Sequence, residues 1–391
     1  MNKIEVKVVV GANWGDEGKG LATRYFSLDA KNRGLKCLNV LYSGGSQRGH
    51  TVDFKGCVSH VCHHIGSGSF DGADTYFDRD FMVNPMTFAQ EVKGLDLDTK
   101  FFISPSCRVV TPYDMIINQI VELNRGNNRH GSCGQGIWET QQRYKRTVYS
   151  CGYCYMADLC DEFLDEYLND IACEYVEFRL HEYGIEKIPP EYMELIHSSE
   201  LRKHYIEDFN YMKSMCDVVE SGRHLFSQYD SIVFEGGQGL ALDERNKEEY
   251  PHVTASETGS VVPVCCILDT HLNADIEICY VTRTYLTKHG AGAFGNECSK
   301  EEVAAGLFDR TNEPNEWQGK IRYAPFNSSV YTRIRKDFDR HSAANFRNIN
   351  AKIFVTHANF ENGYNLETNV ADYLSKTKYA EDVIAIHGDK E

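Results

Sequence analysis

The stretch GANWGDEGKG, residues 11–20, lies between the apolar run VKVVV and the helix-like LATRYFSL. A strand that runs into a glycine turn and then a helix aims backbone N–H groups at one point, where they bind an anion. That order constrains the fold more than any other feature of the chain, because it is the unit of mostly parallel α/β sheets. As a phosphate loop it is incomplete. The Walker pattern is Gly, four residues, then Gly-Lys-Ser/Thr. Here Gly18-Lys19 is followed by Gly20, so no hydroxyl is placed to hold Mg²⁺, and the position five before Gly18 is Asn13. Two acids, Asp16 and Glu17, stand where a loop that cradles anions would avoid them. The turn therefore calls for chemistry that uses a phosphate-binding lysine and a carboxylate three residues apart.

The same rhythm recurs downstream. KCLNVLYSGG reads as a strand and second glycine turn, and DSIVFEGGQG, IEICYVTRTY and AKIFVTHANF read as further strands. The expected architecture is a large, mostly parallel central sheet with surrounding helices and sites at the carboxyl ends of its strands. Residues 156–222 carry acidic and aromatic residues at helical spacing, as in DLCDEFLDEYLNDIACEYVEF, and read as a helical insertion. With only 9 prolines and no Pro/Gly/Ser-rich linker, residues 1–391 are expected to form one domain.

Composition narrows the partners. A net charge of -16 argues against broad nucleic-acid binding, so any nucleotide site must be a local basic pocket. No apolar stretch is long enough to span a membrane, and MNKIEVKVVV reads as a strand rather than a signal peptide. The expectation is a cytoplasmic protein. The 14 cysteines are then expected to be reduced. Cys151 and Cys154 form the sole CxxC, without the second pair a zinc ribbon needs, and Cys62 to His64 are too close together to supply three ligands.

Each glycine turn brings polar side chains. The first offers Gly15, Asp16, Glu17, Gly18, Lys19 and Gly20; the second offers Gln47, Gly49, His50 and Thr51. HGSCGQG offers Ser132, Cys133 and Gln135, FEGGQG offers Glu235 and Gln238, and PHVTAS adds Thr254. Glycine lets a backbone approach a ligand closely, and several such turns on one face imply more than one phosphate group.

WGDEGKG, GGSQRGHT, FEGGQG, YPHVTAS and GAGAF occur in the order and rough spacing of adenylosuccinate synthetase, and the chain resembles that family from residue 4 to about residue 365. The resemblance implies a Mg²⁺-dependent ligase that joins L-aspartate to C6 of a purine nucleoside monophosphate, using a nucleoside triphosphate to phosphorylate O6 first. It assigns Asp16 as the base at purine N1 and, with Gly49, as a metal ligand, which accounts for the missing Ser/Thr. It assigns His50 as acid and electrostatic partner of the transferred phosphoryl group, Lys19 as its counter-charge, and Gln238 as the purine holder. Ser132, Cys133 and Thr254 fall at the 5′-phosphate. Gln318, Gly319, Lys320 and Arg322 of EWQGKIRYAPF stand where the family clamps aspartate, Arg322 being able to grip a carboxylate with two bonds. Family members are homodimers in which an arginine crosses to the other subunit's nucleotide; Arg143 and Arg146 are the candidates here, with Arg146 also counted among the nucleotide-binding residues.

Some positions depart from the family pattern. The chain is shorter than cellular members, Gln47 replaces an Asn, and GQG at Gln135 replaces GRG. VTHAN puts Asn359 where the family's Asp reads guanine of GTP, and an amide suits adenine better. These departures resemble the phage 2-aminoadenylosuccinate synthetases, which act on dGMP. The expected substrates are thus dGMP, aspartate and ATP or dATP, in host cytoplasm. The retained Asp16 points the other way, toward IMP, because that phage branch carries Ser there. A GTPase switch would need Ser/Thr after Lys19 and an NKxD motif, and has neither.

Overall fold

The strand Ile4–Gly11 (β1) alternates its apolar side chains between two cores, as a strand covered on both faces must. Val6, Val8 and Val10 point to one cluster with Ile232, Ile278 and Phe338, while Val9 joins Ala22, Phe26 and Phe354 on the other. The structure, a computed structural model, describes residues 3–52, 60–146, 161–303, 317–343, 349–357 and 382–385.

Among the described residues, nine strands form one parallel sheet. The others are β2 (Cys37–Leu41), β3 (Asp74–Phe77), β4 (Phe101–Ile103), β5 (Cys216–Val218), β6 (Ser231–Gly239), β7 (Ala274–Arg283), β8 (Ile349–Thr356) and β9 (Asp382–Ala385). Their order is β9-β8-β7-β1-β6-β2-β3-β4-β5. Every pairing within the sheet is parallel. β1 lies between β6 and β7, with Val9 opposite both Glu235 and Cys279. The five adjacent strands β8, β7, β1, β6 and β2 are the ones that end in the polar turns, so parallel direction alone delivers those turns to one edge.

Helix α1 (Lys19–Asn32) follows β1 directly and packs on the face carrying Val9. The stretch expected as a helical insertion does hold helices at Asp161–Asp170, Val176–Glu182, Pro190–Ile196 and Ser199–Met215. Its first residues, 156–160, and both cysteines of the CxxC lie outside the described residues. The stretch is not helical throughout: Cys216–Val218 pairs with β4 and forms the sheet edge. Three residues are too few to show a period of two, so the strand was hidden by its helical neighbours. Leu168, Tyr205, Phe209 and Met212 from these helices share one buried cluster with Phe77, Phe101 and Ile103 of the sheet.

Candidate active site

Glu17 folds back beneath the loop. Its Oε1 accepts from the backbone N–H of Asn13 and of Gly15, both at 2.9 Å, and Oε2 lies 2.7 Å from Lys19 Nζ. The Glu17 and Lys19 side chains are 1% and 2% exposed. Burial opposes ionisation of Glu17, but Lys19 and the backbone donors outweigh it and hold the carboxyl below the usual range. Glu17 is therefore the brace of the turn rather than a group placed to touch nucleotide. Lys19 keeps two of its three donors for a ligand.

The glycine where a Walker loop has Ser/Thr has a steric cause. A Cβ at Gly20 would lie 2.8 Å from His50 Cβ, inside contact distance. The first and second glycine turns are pressed together there, which brings His50 beside the phosphate loop. His50 Nδ1 is 2.5 Å from Glu235 Oε1, and Glu235 also accepts from the Ser67 N–H at 3.0 Å and from the Ser67 hydroxyl. Arg48 Nη2 lies 3.4 Å from the same carboxylate oxygen. His50 Nε2 is buried without a hydrogen-bond partner. Burial pushes the imidazole down to about 4, and Arg48 acts in the same direction against the pull of Glu235. At neutral pH the Nδ1–H is committed to Glu235, so Nε2 is an acceptor, and it becomes a donor once the ring takes up a proton.

Asp16 sits at the tip of the turn with a positive φ of 56°, a conformation that few residues other than Gly, Asn and Asp adopt. Its Oδ2 lies 2.7 Å from His289 Nε2. Burial would raise the Asp16 pKa, but His289, Arg283 and Lys19 together bring it well below the ordinary carboxylate value. The turn is held from outside as well. Arg333, on the helix Ser329–Ala343, donates to Ala12 O at 2.9 Å and Asn13 Oδ1 at 2.8 Å, with its guanidinium 4.5 Å from the Trp14 ring centre. Thr356, at the end of β8, donates to Glu17 O at 2.6 Å. The strand carrying VTHAN thus ends against the phosphate loop; Asn359 itself lies outside the described residues.

The other turns join this one. An ideal Cβ at Gly15 would lie 3.8 Å from Gln238 Oε1, so the purine-holding candidate faces the loop. Gln47 Nε2 donates to Thr254 Oγ1 at 3.4 Å. The HGSCGQG loop meets GAGAF through Ala291 N–H to His130 O at 3.3 Å. Ser132 exchanges hydrogen bonds with Asn118 at 2.9 and 3.1 Å. Burial raises the Cys133 thiol to about 11, so it stays protonated. Trp317 covers Gly134, which brings the start of the EWQGKIR loop to the same edge, and Gln318 and Lys320 follow it.

Two arginine candidates are committed elsewhere. Arg322 donates to Glu297 through Nε and Nη2 and to Gly290 O and Gly292 O through Nη1, at 2.6–3.1 Å. In this state its guanidinium braces GAGAF, so gripping a substrate carboxylate requires Glu297 to give way. Arg143 is 1% exposed and bound to Asp114, Val109 O and Tyr167, which removes it as a residue that crosses a subunit boundary. Arg146, 24% exposed and 3.1 Å from Glu182, keeps that possibility. Sequence reading missed His289 and Arg333. The first had a signal, since it directly precedes GAGAF at a strand end; the second, on a polar helix face, had none.

For a metal, the ionised Asp16 carboxylate at the phosphate loop and the backbone oxygen of exposed Gly49, beside His50 on the second turn, would supply hard oxygen donors, the chemistry that suits Mg²⁺. His60, Cys62 and Glu91 also have ligand atoms within 4.8 Å of one another. Glu91 there accepts from the N–H groups of His63, His64 and Ile65 at 2.6–3.2 Å, and so serves to fix that loop. The ten described cysteines are all free thiols. Among the described residues no helix is long and apolar enough to cross a membrane.

Comparison with known proteins agrees with this geometry. The chain is 30% identical over 326 residues to the adenylosuccinate synthetase of Shewanella loihica, which takes in 81% of this chain and 70% of that protein. Its fold is similar to the fully ligated adenylosuccinate synthetase of Plasmodium falciparum, with a TM-score of 0.62, 17% identity, and coverage of 92% and 78% of the two chains. It is also similar to the succinoaminodeoxyadenylate synthetase of cyanophage S-2L, with a TM-score of 0.66, 15% identity, and coverage of 99% and 93%. The adenylosuccinate synthetase profile matches residues 8–333, from the strand before the phosphate loop to the arginine that braces it, so the chain belongs to that family of C–N ligases, which join aspartate to a purine nucleotide.

Proposed function

We propose that this ligase acts on dGMP with ATP or dATP, giving 2-amino-2′-deoxyadenylosuccinate. The observation that carries this reading is the near end-to-end overlap, 99% of this chain and 93% of the other, with a phage enzyme bound to dGMP and dATP. Gln47, Gln135 and Asn359, the positions that depart from the usual family pattern, point the same way.

In this proposal the residues of the site take the roles that the family resemblance implies. Asp16 accepts the N1 proton of the purine as O6 attacks the terminal phosphorus, and the nucleoside diphosphate leaves. The amine of aspartate then displaces phosphate from C6. Being ionised at all working pH values, Asp16 is always ready to accept a hydrogen bond; being a weak base, it takes the proton only in concert with attack. Lys19, fixed by Glu17, offers its free donors to phosphate oxygens, and His50 Nε2, once protonated, donates to the transferred group. Held by Asp16 and Gly49, Mg²⁺ would neutralise charge on the phosphates. Gln238 orients the base, Ser132, Cys133 and Thr254 receive the 5′-phosphate, and Gln318, Gly319, Lys320 and Arg322 receive aspartate. A homodimer would complete the site through Arg146.

A second reading has its own support: the retained Asp16 suits IMP, which lacks the 2-amino group. Product analysis separates the two. Purified protein with Mg²⁺ and aspartate is given IMP, GMP or dGMP, each with ATP, dATP or GTP, and succinylated products are identified by mass. Product from dGMP with ATP or dATP supports the proposal. Product from IMP alone sinks the purine reading, and use of GTP but not ATP sinks the reading of Asn359.

A further inference from the structure

We infer that Arg333 is a positioning residue for Lys19: through one peptide of the phosphate loop it fixes the Glu17 carboxylate, and with it the direction of the lysine donors left for phosphate. The inference rests on Lys19 being the group that meets the phosphates. It also accounts for Asn13, which stands where a Walker loop has its first glycine. Asn13 is 2% exposed, and each of its polar groups is taken. Its N–H donates to Glu17 Oε1 at 2.9 Å, and its O accepts from the Ala241 N–H at 2.9 Å. Nδ2 donates to Thr282 Oγ1 at 3.0 Å, and Oδ1 accepts from Arg333 Nη2 at 2.8 Å. A glycine could make neither of the side-chain bonds.

Arg333 holds the peptide between Ala12 and Asn13 from its carbonyl side, by Nε–H to Ala12 O at 2.9 Å, while Glu17 holds it from the N–H side. The bonds run in series from guanidinium to peptide to carboxylate, and then to Lys19 Nζ at 2.7 Å. Polarising the carbonyl makes the peptide N–H a better donor, so each bond strengthens the next. The mount is rigid. Nη1 donates to Ser329 Oγ at 3.0 Å, one turn back on the same helix. Val330 and Ile334 of that helix are buried in the cluster that holds Val6, Val8 and Val10 of β1. The guanidinium lies over the Trp14 ring, 4.5 Å from its centre. Nε and Nη2 thus form a fork to acceptors on two consecutive residues while the flat face meets an aromatic ring, and an ammonium cannot do both. The two acids that act on Arg333 through space, Glu17 and Glu249, are each paired with a lysine, Lys19 at 2.7 Å and Lys288 at 3.0 Å. The charge of Arg333 therefore adds to the positive field at the loop. A misplacement of about 1 Å at a reacting group costs on the order of 100-fold in rate.

The test compares Arg333→Lys, which keeps a cation but loses the fork, with Arg333→Ala. Each is assayed with ATP, dATP and GTP and with dGMP and IMP, so the outcome does not depend on which nucleotides are the substrates. Both variants are expected to lower kcat, and to weaken equilibrium binding of the triphosphate that the wild type uses, by about 10- to 100-fold, while the KM for aspartate changes less than about threefold. Guanidinium chloride added to Arg333→Ala should recover part of the lost kcat, and sodium chloride at the same concentration should not. In a Lys19→Met background, Arg333→Lys should weaken triphosphate binding no further, since its effect runs through Lys19. Wild-type kcat in either folded variant, no response to guanidinium, or an equal further loss in the Lys19→Met background would overturn the inference. Normal triphosphate use by Lys19→Met alone would instead remove the phosphate role of Lys19, and the inference with it. Thermal unfolding of each variant separates lost folding from lost positioning, and Arg333→Lys, which keeps the charge and most of the stem, decides the matter if Arg333→Ala does not fold.

Discussion

The smallest scale at which the site can be tested is the carboxylate of Glu17. It lies under the loop, accepts two backbone N–H groups and faces a lysine that is also buried. Removing one partner of a buried pair leaves the other charge uncompensated, at a cost of about 3–5 kcal/mol. Glu17→Gln should therefore lower stability by that amount in urea unfolding as well as reduce activity; a variant with unchanged stability would mean that Glu17 is not the brace. The residues of the two glycine turns contribute to the pH dependence of stability in two ways. Asp16 and Glu17 have lowered pKa values in the fold, so their contribution is complete above the ordinary carboxylate range and lost as pH falls through the lowered values. His50 is brought from 6.5 to about 4, so between those values the unfolded chain binds the proton and the folded chain does not. Stability should therefore decline from about pH 6.5 to pH 4, and His50→Gln should flatten that decline by about one proton. If both proteins show the same slope across this range, His50 is not the group that titrates.

At the scale of elements, the phosphate loop and the second glycine turn act as one unit, because Gly20 is where they touch. Restoring the Walker hydroxyl with Gly20→Ser places a Cβ 2.8 Å from His50 Cβ. The expected result is a loss of about 100-fold in kcat, with nucleotide binding weakened less, because His50 is displaced from the transferred phosphoryl group. A Gly20→Ser enzyme of normal activity would show that the turns can separate at no cost to catalysis. The glycine turns themselves were legible in the sequence, since strand, Gly and polar residues follow each other locally. The strand Cys216–Val218 was not, because its assignment comes from pairing with Phe101–Ile103, more than a hundred residues earlier. Nor could spacing show that Arg322 is taken by Glu297 or that Arg143 is taken by Asp114.

At the scale of the whole molecule, the remaining question is what completes the site. With Arg143 buried, Arg146 is the candidate for the crossing arginine of the proposed homodimer, where it would exchange Glu182 for a partner's nucleotide phosphate. Subunit mixing tests this. Arg146→Ala and Asp16→Asn should each be nearly inactive alone. Mixed and allowed to exchange, they should recover up to about a quarter of wild-type activity, because one site of each hybrid then holds Asp16 and receives Arg146 from the other chain. Failure to recover, with exchange verified by mass, would place Arg146 in its own subunit's site or outside any site.

The sequence by itself determined the sheet class, the glycine turns at strand ends, and the places of Asp16, Lys19 and His50 on those turns, because each is written in a run of ten or fewer residues. The tertiary structure alone decided how those groups are held. Glu17 turns under the loop to Lys19, Glu235 takes His50 Nδ1–H from a strand 185 positions away, and His289 reaches Asp16 from another hairpin. Parallel strands pair across long crossovers, so the neighbours that set a side chain's charge and orientation are distant in sequence and become visible only when the strands are side by side.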